Sequence, residues 1–171
     1  MMADATERFG DAPHNFVYGN VQQDPPLALA EFADADVIAH PCALQIIEGA
    51  MQGSGPPQGL KVGLGGNTNL PGSRTQPVHR DGAHNGPSAA LRSFVVNIAM
   101  SDTDERNGSI EVWPGTHLEN AMQKAELESG RRWRGNVRPD VSEARRKEVP
   151  PVRVNTELGD LMLRDMQMWH R

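Results

Sequence analysis

The chain has 171 residues and a formal net charge of −5, which is length for one domain with a core of its own and too little for two ordinary ones. The acidic balance argues against a nucleic acid or an anionic membrane as the main partner, since either wants a basic face, and leaves a small-molecule substrate as the expected partner. A single cysteine, Cys42, excludes an internal disulfide and a cysteine-built structural zinc site, so any metal must rest on histidine and carboxylate.

The opening stretch MMADATERFGDAPHNF has no basic segment followed by an apolar run, and no apolar segment approaches membrane-spanning length. A cytoplasmic protein of one domain, residues 1–171, is the expectation. Gly and Pro, 17 and 13 of them, are spread as punctuation and cut the chain into short runs. One helix is predicted early. Pro41 suits a first helical position, Ile46, Ile47, Ala50 and Met51 share a face, and Gly53 can close it.

Beyond it the period becomes strand-like. LKVGL (60–64), TQPVH (75–79), SFVVNIAM (93–100), SIEVW (109–113), PVRV (151–154) and DLMLRD (160–165) are short, apolar or β-branched, and separated by turn residues. Strands without alternating helices imply antiparallel pairing, hence a mainly β sandwich or barrel. NLPGS, DERNGS and ELGD read as turns, with Asp102, Asn107, Gly108 and Asp160 supplying turn chemistry.

Residues 118–148 interrupt this pattern as a polar helical insert or lid. From Lys124 to Lys147 eight Lys or Arg stand against four Asp or Glu, a local +4 in an acidic protein. A lid could bring Arg131, Arg132 or Arg134 to an anionic substrate, but a charge run more often faces water, and a solvated surface excursion is the stronger expectation.

The stretch QPVHRDGAHNG (76–86) carries a His-x-Asp pair, His79 and Asp81. Composition alone yields roughly 0.4 such pairs in a chain like this, so the pair by itself is weak evidence. Its context is better. Residues i and i+2 of a strand point to one face, so the two side chains can converge, and His170, at the end of the strand-like MQMWH, could join them from a neighbouring strand. Two imidazoles and one carboxylate on one face of an octahedral ion leave three positions open, the arrangement that suits non-heme Fe(II). Zinc would accept the same ligands with one water, and spacing does not separate the two.

PGSRTQPVHRDG, VVNIAMSDTDERNGSIEVWPGTHL and ELGDLMLRDMQMWHR together resemble the successive signatures of the phytanoyl-CoA dioxygenase family of Fe(II)/2-oxoglutarate oxygenases. The resemblance rests on a Gln three before the His of His-x-Asp, a strand leading into Asp-x-x-x-x-Asn-Gly, a Pro-Gly-Thr-His turn, a Gly-Asp, and a distal His followed by Arg. It covers roughly residues 40–117 and 150–171. It implies a double-stranded β-helix (jelly-roll) with flanking helices, Fe(II) at its mouth, 2-oxoglutarate as co-substrate and dioxygen as oxidant. It also implies oxidative decarboxylation of 2-oxoglutarate to succinate, coupled to hydroxylation of a small organic substrate.

By that resemblance His79, Asp81 and His170 would be the metal ligands and the catalytic residues, and Gln76, Asn97 and Thr116 would touch 2-oxoglutarate. Each of the last three has an equal structural reading, as a strand residue, a polar partner inside the barrel and a turn hydroxyl bonding its own backbone. His117 is expected to pin a loop, and His14, His40 and His84 have no partner pattern. Because Asp81 supplies a carboxylate where related halogenases have Gly or Ala, the resemblance favours a hydroxylase.

One feature departs from the family. Members hold the far carboxylate of 2-oxoglutarate with an Arg roughly ten residues after the distal His, in a bidentate pairing that Lys imitates poorly. Here Arg171 follows His170 directly, and strand neighbours point to opposite faces, so the expectation is a family domain cut short at its C-terminus. The alternative function is then a catalytically inactive jelly-roll that binds metal or ligand. A cupin-like enzyme ranks last, since residues 77–90 hold neither a Glu nor a His-x-His.

Overall fold

A computed structural model describes residues 18–23, 34–51, 62–81, 93–118 and 136–171. The chain divides into two units, residues 1–50 with 56–76, and residues 51–55 with 77–171.

In the first unit β1 (Asn20–Gln23) pairs antiparallel with β2 (Gly66–Asn69), Asn20 opposite Asn69 and Gln23 opposite Gly66. Neither strand was predicted, because NVQQ and GNTN offer no apolar alternation. The pairing is made by backbone and amides, Asn20 donating to the Asn69 side chain at 2.8 Å. Helix α1 (Ala35–Ile38) starts at Asp34, whose carboxylate accepts from the Asp36 N–H. Helix α2 (Pro41–Met51) starts at the predicted proline. Its covered stripe is rotated from the expected one. Ala43 is buried and Leu44, Ile47, Ala50 and Met51 are half-buried, whereas Ile46 is 58% exposed, since the stripe centres one position away from it. Gly53 lies outside the described residues.

In the second unit β3 (Phe94–Ile98) pairs antiparallel with β6 (Leu161–Asp165), Phe94 opposite Asp165 and Ile98 opposite Leu161. β4 (Ile110–Val112) pairs likewise with β5 (Val152–Val154). All four fall inside predicted strands. Between β3 and β4 the chain turns as read from its Asp and Asn residues. Asn107 donates to the Asp102 carbonyl at 2.9 Å and accepts from the Asp104 N–H at 2.7 Å, and Gly108 takes the positive φ of 103° that the turn needs.

Single bridges widen the β4–β5 pair. Glu111 and Arg171 exchange both backbone hydrogen bonds, and the Trp113 N–H donates to the Trp169 carbonyl. His170 bridges onward to His79, and His79 to Asn136. The succession is therefore β5, β4, residues 169–171, residues around 79, and residues 136–137. The segments predicted as strands around the two histidines are shorter than expected. TQPVH contributes a bridge only at His79, and MQMWH begins as a turn because the Asp165 carboxylate caps the Gln167 N–H at 2.8 Å and bends the chain before it straightens at Trp169. In LKVGL, residues 62–64 are not in a strand and the rest lies outside the described residues.

The core of this unit is Val78, Trp113, Val137 and Trp169, with Val141 packed against it. Val137 and Val141 come from the polar 118–148 stretch. Residues 119–135, with Arg131, Arg132 and Arg134, are outside the described residues, but the remainder is no solvated excursion. Helix α3 (Pro139–Glu148) buries Ser142, donates from Arg145 to the Pro114 carbonyl at 3.0 Å, and lays Arg146 over the Trp113 ring at 5.3 Å. A charged helix can pack in this way because long basic side chains cover apolar surface with their stems. Among the described residues the architecture is small antiparallel sheets with few helices, not closed into a barrel, and no helix is long and apolar enough to cross a membrane.

Candidate metal centre

The backbone brings the three predicted ligands together. The His79 N–H donates to the His170 carbonyl at 2.8 Å and the His170 N–H donates back to His79 at 2.9 Å, so their side chains leave the same face of the bridge. The ring centroids are 4.3 Å apart. Asp81, two residues beyond His79, returns to that face, its own N–H held by the Met166 carbonyl at 3.1 Å.

Both imidazoles are oriented by the same local device. His79 Nδ1 lies 2.8 Å from the Pro77 carbonyl and His170 Nδ1 lies 3.0 Å from the Met168 carbonyl, each acceptor two residues upstream. A carbonyl can only accept, so each Nδ1 donates there and each Nε2 is the ring atom left for another partner. Both Nε2 atoms face Asp81. Its Oδ1 is 3.8 Å from His79 Nε2 and 3.4 Å from His170 Nε2, and all three donor atoms lie within 4.8 Å of one another.

Donors about 2.1 Å from a common ion stand about 3.0 Å apart at right angles and about 4.2 Å apart across it. The spacing to Asp81 falls within that span, and the set of two imidazole nitrogens and a carboxylate oxygen matches Fe(II) or Zn(II) in chemistry. The residues present therefore fit a divalent metal.

Electrostatics prepare the donors. Burial, and then the neighbouring His170, lower the basicity of His79 below its ordinary value, against the opposite pull of the Pro77 carbonyl and Asp81. Burial works to raise the Asp81 carboxyl, but contact with His170 and the Arg164 guanidinium outweighs it and holds the group well below the usual carboxylate range. The site thus offers an imidazole that resists protonation and a carboxylate that stays ionised.

The sequence model of the phytanoyl-CoA dioxygenase (PhyH) family matches residues 36–171. The chain belongs to the phytanoyl-CoA dioxygenase family. The match contains all three converging residues, and members of this family are typically non-heme iron dioxygenases of the Fe(II)/2-oxoglutarate type.

The other residues singled out from the sequence take different places. Asn97 is exposed on β3 opposite Met162. Gln76 is half-buried and groups with the first unit. Thr116 is buried with its hydroxyl fully occupied, donating to the Trp113 carbonyl at 2.8 Å and accepting from the Trp169 N–H at 2.9 Å. His117 sits in a short 3-10 turn beside it. His14 and His84 are outside the described residues. Arg171 turns away from the histidines, its guanidinium on the buried Glu111 carboxylate and 5.6 Å over the Trp113 ring.

Arg164 was missed. It lies on β6 with its side chain 7% exposed and donates to Asp81 Oδ2, the oxygen that does not face the imidazoles. A signal existed in the sequence: a lone Arg inside the apolar run LMLRD is a charge on a strand that otherwise reads as buried.

Proposed function

We propose that this family member is an Fe(II)- and 2-oxoglutarate-dependent dioxygenase that hydroxylates a small organic substrate within a jelly-roll, with His79, Asp81 and His170 as the metal ligands. The observation that carries this reading is the convergence of two imidazole nitrogens and one carboxylate oxygen within 4.8 Å, inside the family match. Bound there, the iron would supply the redox chemistry by which dioxygen decarboxylates 2-oxoglutarate to succinate and CO2 while one oxygen atom enters a substrate C–H bond.

The chain's own residues do the rest. The Pro77 and Met168 carbonyls accept from the Nδ1 atoms of His79 and His170 and so orient each Nε2 as the atom available to a metal. Asp81 brings one negative charge against a dication. Three single-atom donors leave the remaining positions of an octahedron for a chelating co-substrate and dioxygen. Val78 and Trp169, the chain neighbours of His79 and His170, are buried with Trp113 in the core and anchor the backbone that carries the two rings.

The test is succinate release from 2-oxoglutarate by the anaerobically iron-loaded protein on exposure to air, compared with Asp81→Ala. Loss of succinate release together with loss of iron binding in Asp81→Ala supports the assignment, and undiminished release refutes it. A second reading, an inactive binder of the same fold, is favoured by one observation. Arg171, the cation adjacent to the distal histidine, is committed to Glu111 and Trp113 and is not turned toward a co-substrate carboxylate. Metal and 2-oxoglutarate binding without succinate release would select that reading.

A further inference from the structure

Arg164 poses an energetic problem. Its side chain is 7% exposed, one nitrogen donates to Asp81 Oδ2, and both Nε and Nη1 are buried without a hydrogen-bond partner among the described residues. Burying a guanidinium with two unsatisfied donors costs stability, and an apolar residue at this strand position would avoid that cost. The residue is placed for something other than holding β6 in its sheet.

Its ion pair with Asp81 indicates what. A free aspartate can rotate about its terminal torsion and offer either oxygen, or both, to an ion. Here the two oxygens are differentiated. Oδ2 is taken by Arg164, while Oδ1 stands 3.4 Å and 3.8 Å from the two Nε2 atoms. The division is set by strand geometry. Arg164 sits in the β3–β6 ladder opposite Val95, and Asp81 is tied through its N–H to the Met166 carbonyl, two residues beyond Arg164. The guanidinium and the carboxylate are thus fixed by the same short piece of backbone.

We propose that Arg164 is a positioning residue of the metal centre: by occupying Asp81 Oδ2 it restricts Asp81 to one-oxygen ligation through Oδ1 and so keeps a coordination position open. This rests on the assignment of His79, Asp81 and His170 as ligands. The sign of its effect is a strict test. By charge alone, a cation beside the site repels a dication, and removing it would tighten metal binding. By positioning, removing it loosens the carboxylate and weakens the metal, as loss of an orienting partner commonly does, by about 10- to 100-fold.

The experiment measures Co(II) affinity of the full chain by calorimetry, and the coordination number of the bound ion from the intensity of its visible d–d bands. Wild type, Arg164→Met, Arg164→Lys, Asp81→Ala and the double variant Asp81→Ala/Arg164→Met are compared, with folding of each checked by circular dichroism and thermal unfolding. Arg164→Met is expected to weaken Co(II) by about 10- to 100-fold and to change the d–d intensity. Arg164→Lys, which keeps the charge and loses the guanidinium plane, is expected to fall between, securing the result if the methionine variant is poorly folded. In the Asp81→Ala background the same Arg164→Met change is expected to have no further effect, because Arg164 acts through Asp81.

The proposal is overturned if Arg164→Met leaves affinity and spectrum unchanged, if it tightens Co(II), or if it weakens Co(II) equally with and without Asp81, which would be a general structural effect. If instead Asp81→Ala itself leaves Co(II) binding intact, the ligand assignment has failed, and the role of Arg164 with it.

Discussion

His79 and His170 exchange both of their backbone hydrogen bonds and also place their rings 4.3 Å apart, so the proposed ligand pair is set by main chain alone. A substitution at either position removes a donor without removing the bridge. His170→Ala is therefore expected to lose more metal affinity than the roughly 10- to 100-fold typical of a lost orienting contact, while the metal-free protein unfolds near the wild-type temperature. Calorimetric titration with Co(II) beside a thermal melt checks it, and a parallel collapse of both would make His170 chiefly a structural residue.

His79 is lowered in basicity, first by burial and then by His170, and the sign of the pH effect follows. Its folded pKa lies below the ordinary value of about 6.5, so between the two the unfolded chain binds more protons. The contribution of this group to stability is whole above about 6.5 and declines as pH falls from there toward the folded pKa. In the metal-free protein the His79 ring should titrate below 6.5 by NMR. His170→Gln should move that midpoint upward without restoring it fully, since burial remains. A wild-type midpoint at or above 6.5 contradicts the account.

Thr116 separates two roles cleanly. Its hydroxyl joins the Trp113 carbonyl to the Trp169 N–H, so Thr116→Val strands a buried N–H and should cost about 1 to 3 kcal/mol in urea unfolding. If the hydroxyl served 2-oxoglutarate instead, the variant would keep its stability and show a raised KM for the co-substrate. The expected result is the first.

Trp169 joins the core to the proposed ligand His170 beside it. Truncation to Ala at a position 1% exposed should cost about 3 to 5 kcal/mol and should weaken metal binding as well, because His170 is its chain neighbour. Denaturant midpoints and Co(II) titrations of Trp169→Ala would show both effects, and loss of stability with unaltered metal affinity would mean the bridge alone holds His170.

The sequence revealed these features unevenly. FVVNI, IEV, VRV and LMLRD could be read as strands because β-branched and apolar residues mark a half-buried ladder. The convergence of the three candidate ligands could be read because a two-residue strand spacing puts His79 and Asp81 on one face, and the family signatures supply His170. β1 and β2 could not, since Asn and Gln pair through amides that leave no hydrophobic period. The packing of α3 was hidden by its own charge: Arg146 reads as a solvent residue until Trp113 is found beneath it. The burial of His170, which is 4% exposed, was not legible either, because bridges to both Val112 and His79 hold it. Both of those contacts are distant in sequence and invisible to a local pattern.

The separation between Asp81 and Arg164, 83 residues, bears on when the centre can exist. A pair so far apart along the chain forms only after the intervening segments have found one another, and closing long loops is the slow part of folding. The ligands are therefore brought into range late, and an ion has little to grip in the unfolded chain. Divalent metal added to a refolding reaction should then leave the folding rate nearly unchanged and slow unfolding instead, as expected for contacts absent from the transition state. Occupancy of this site would act as a brake on the native state's escape rather than as a template for its formation.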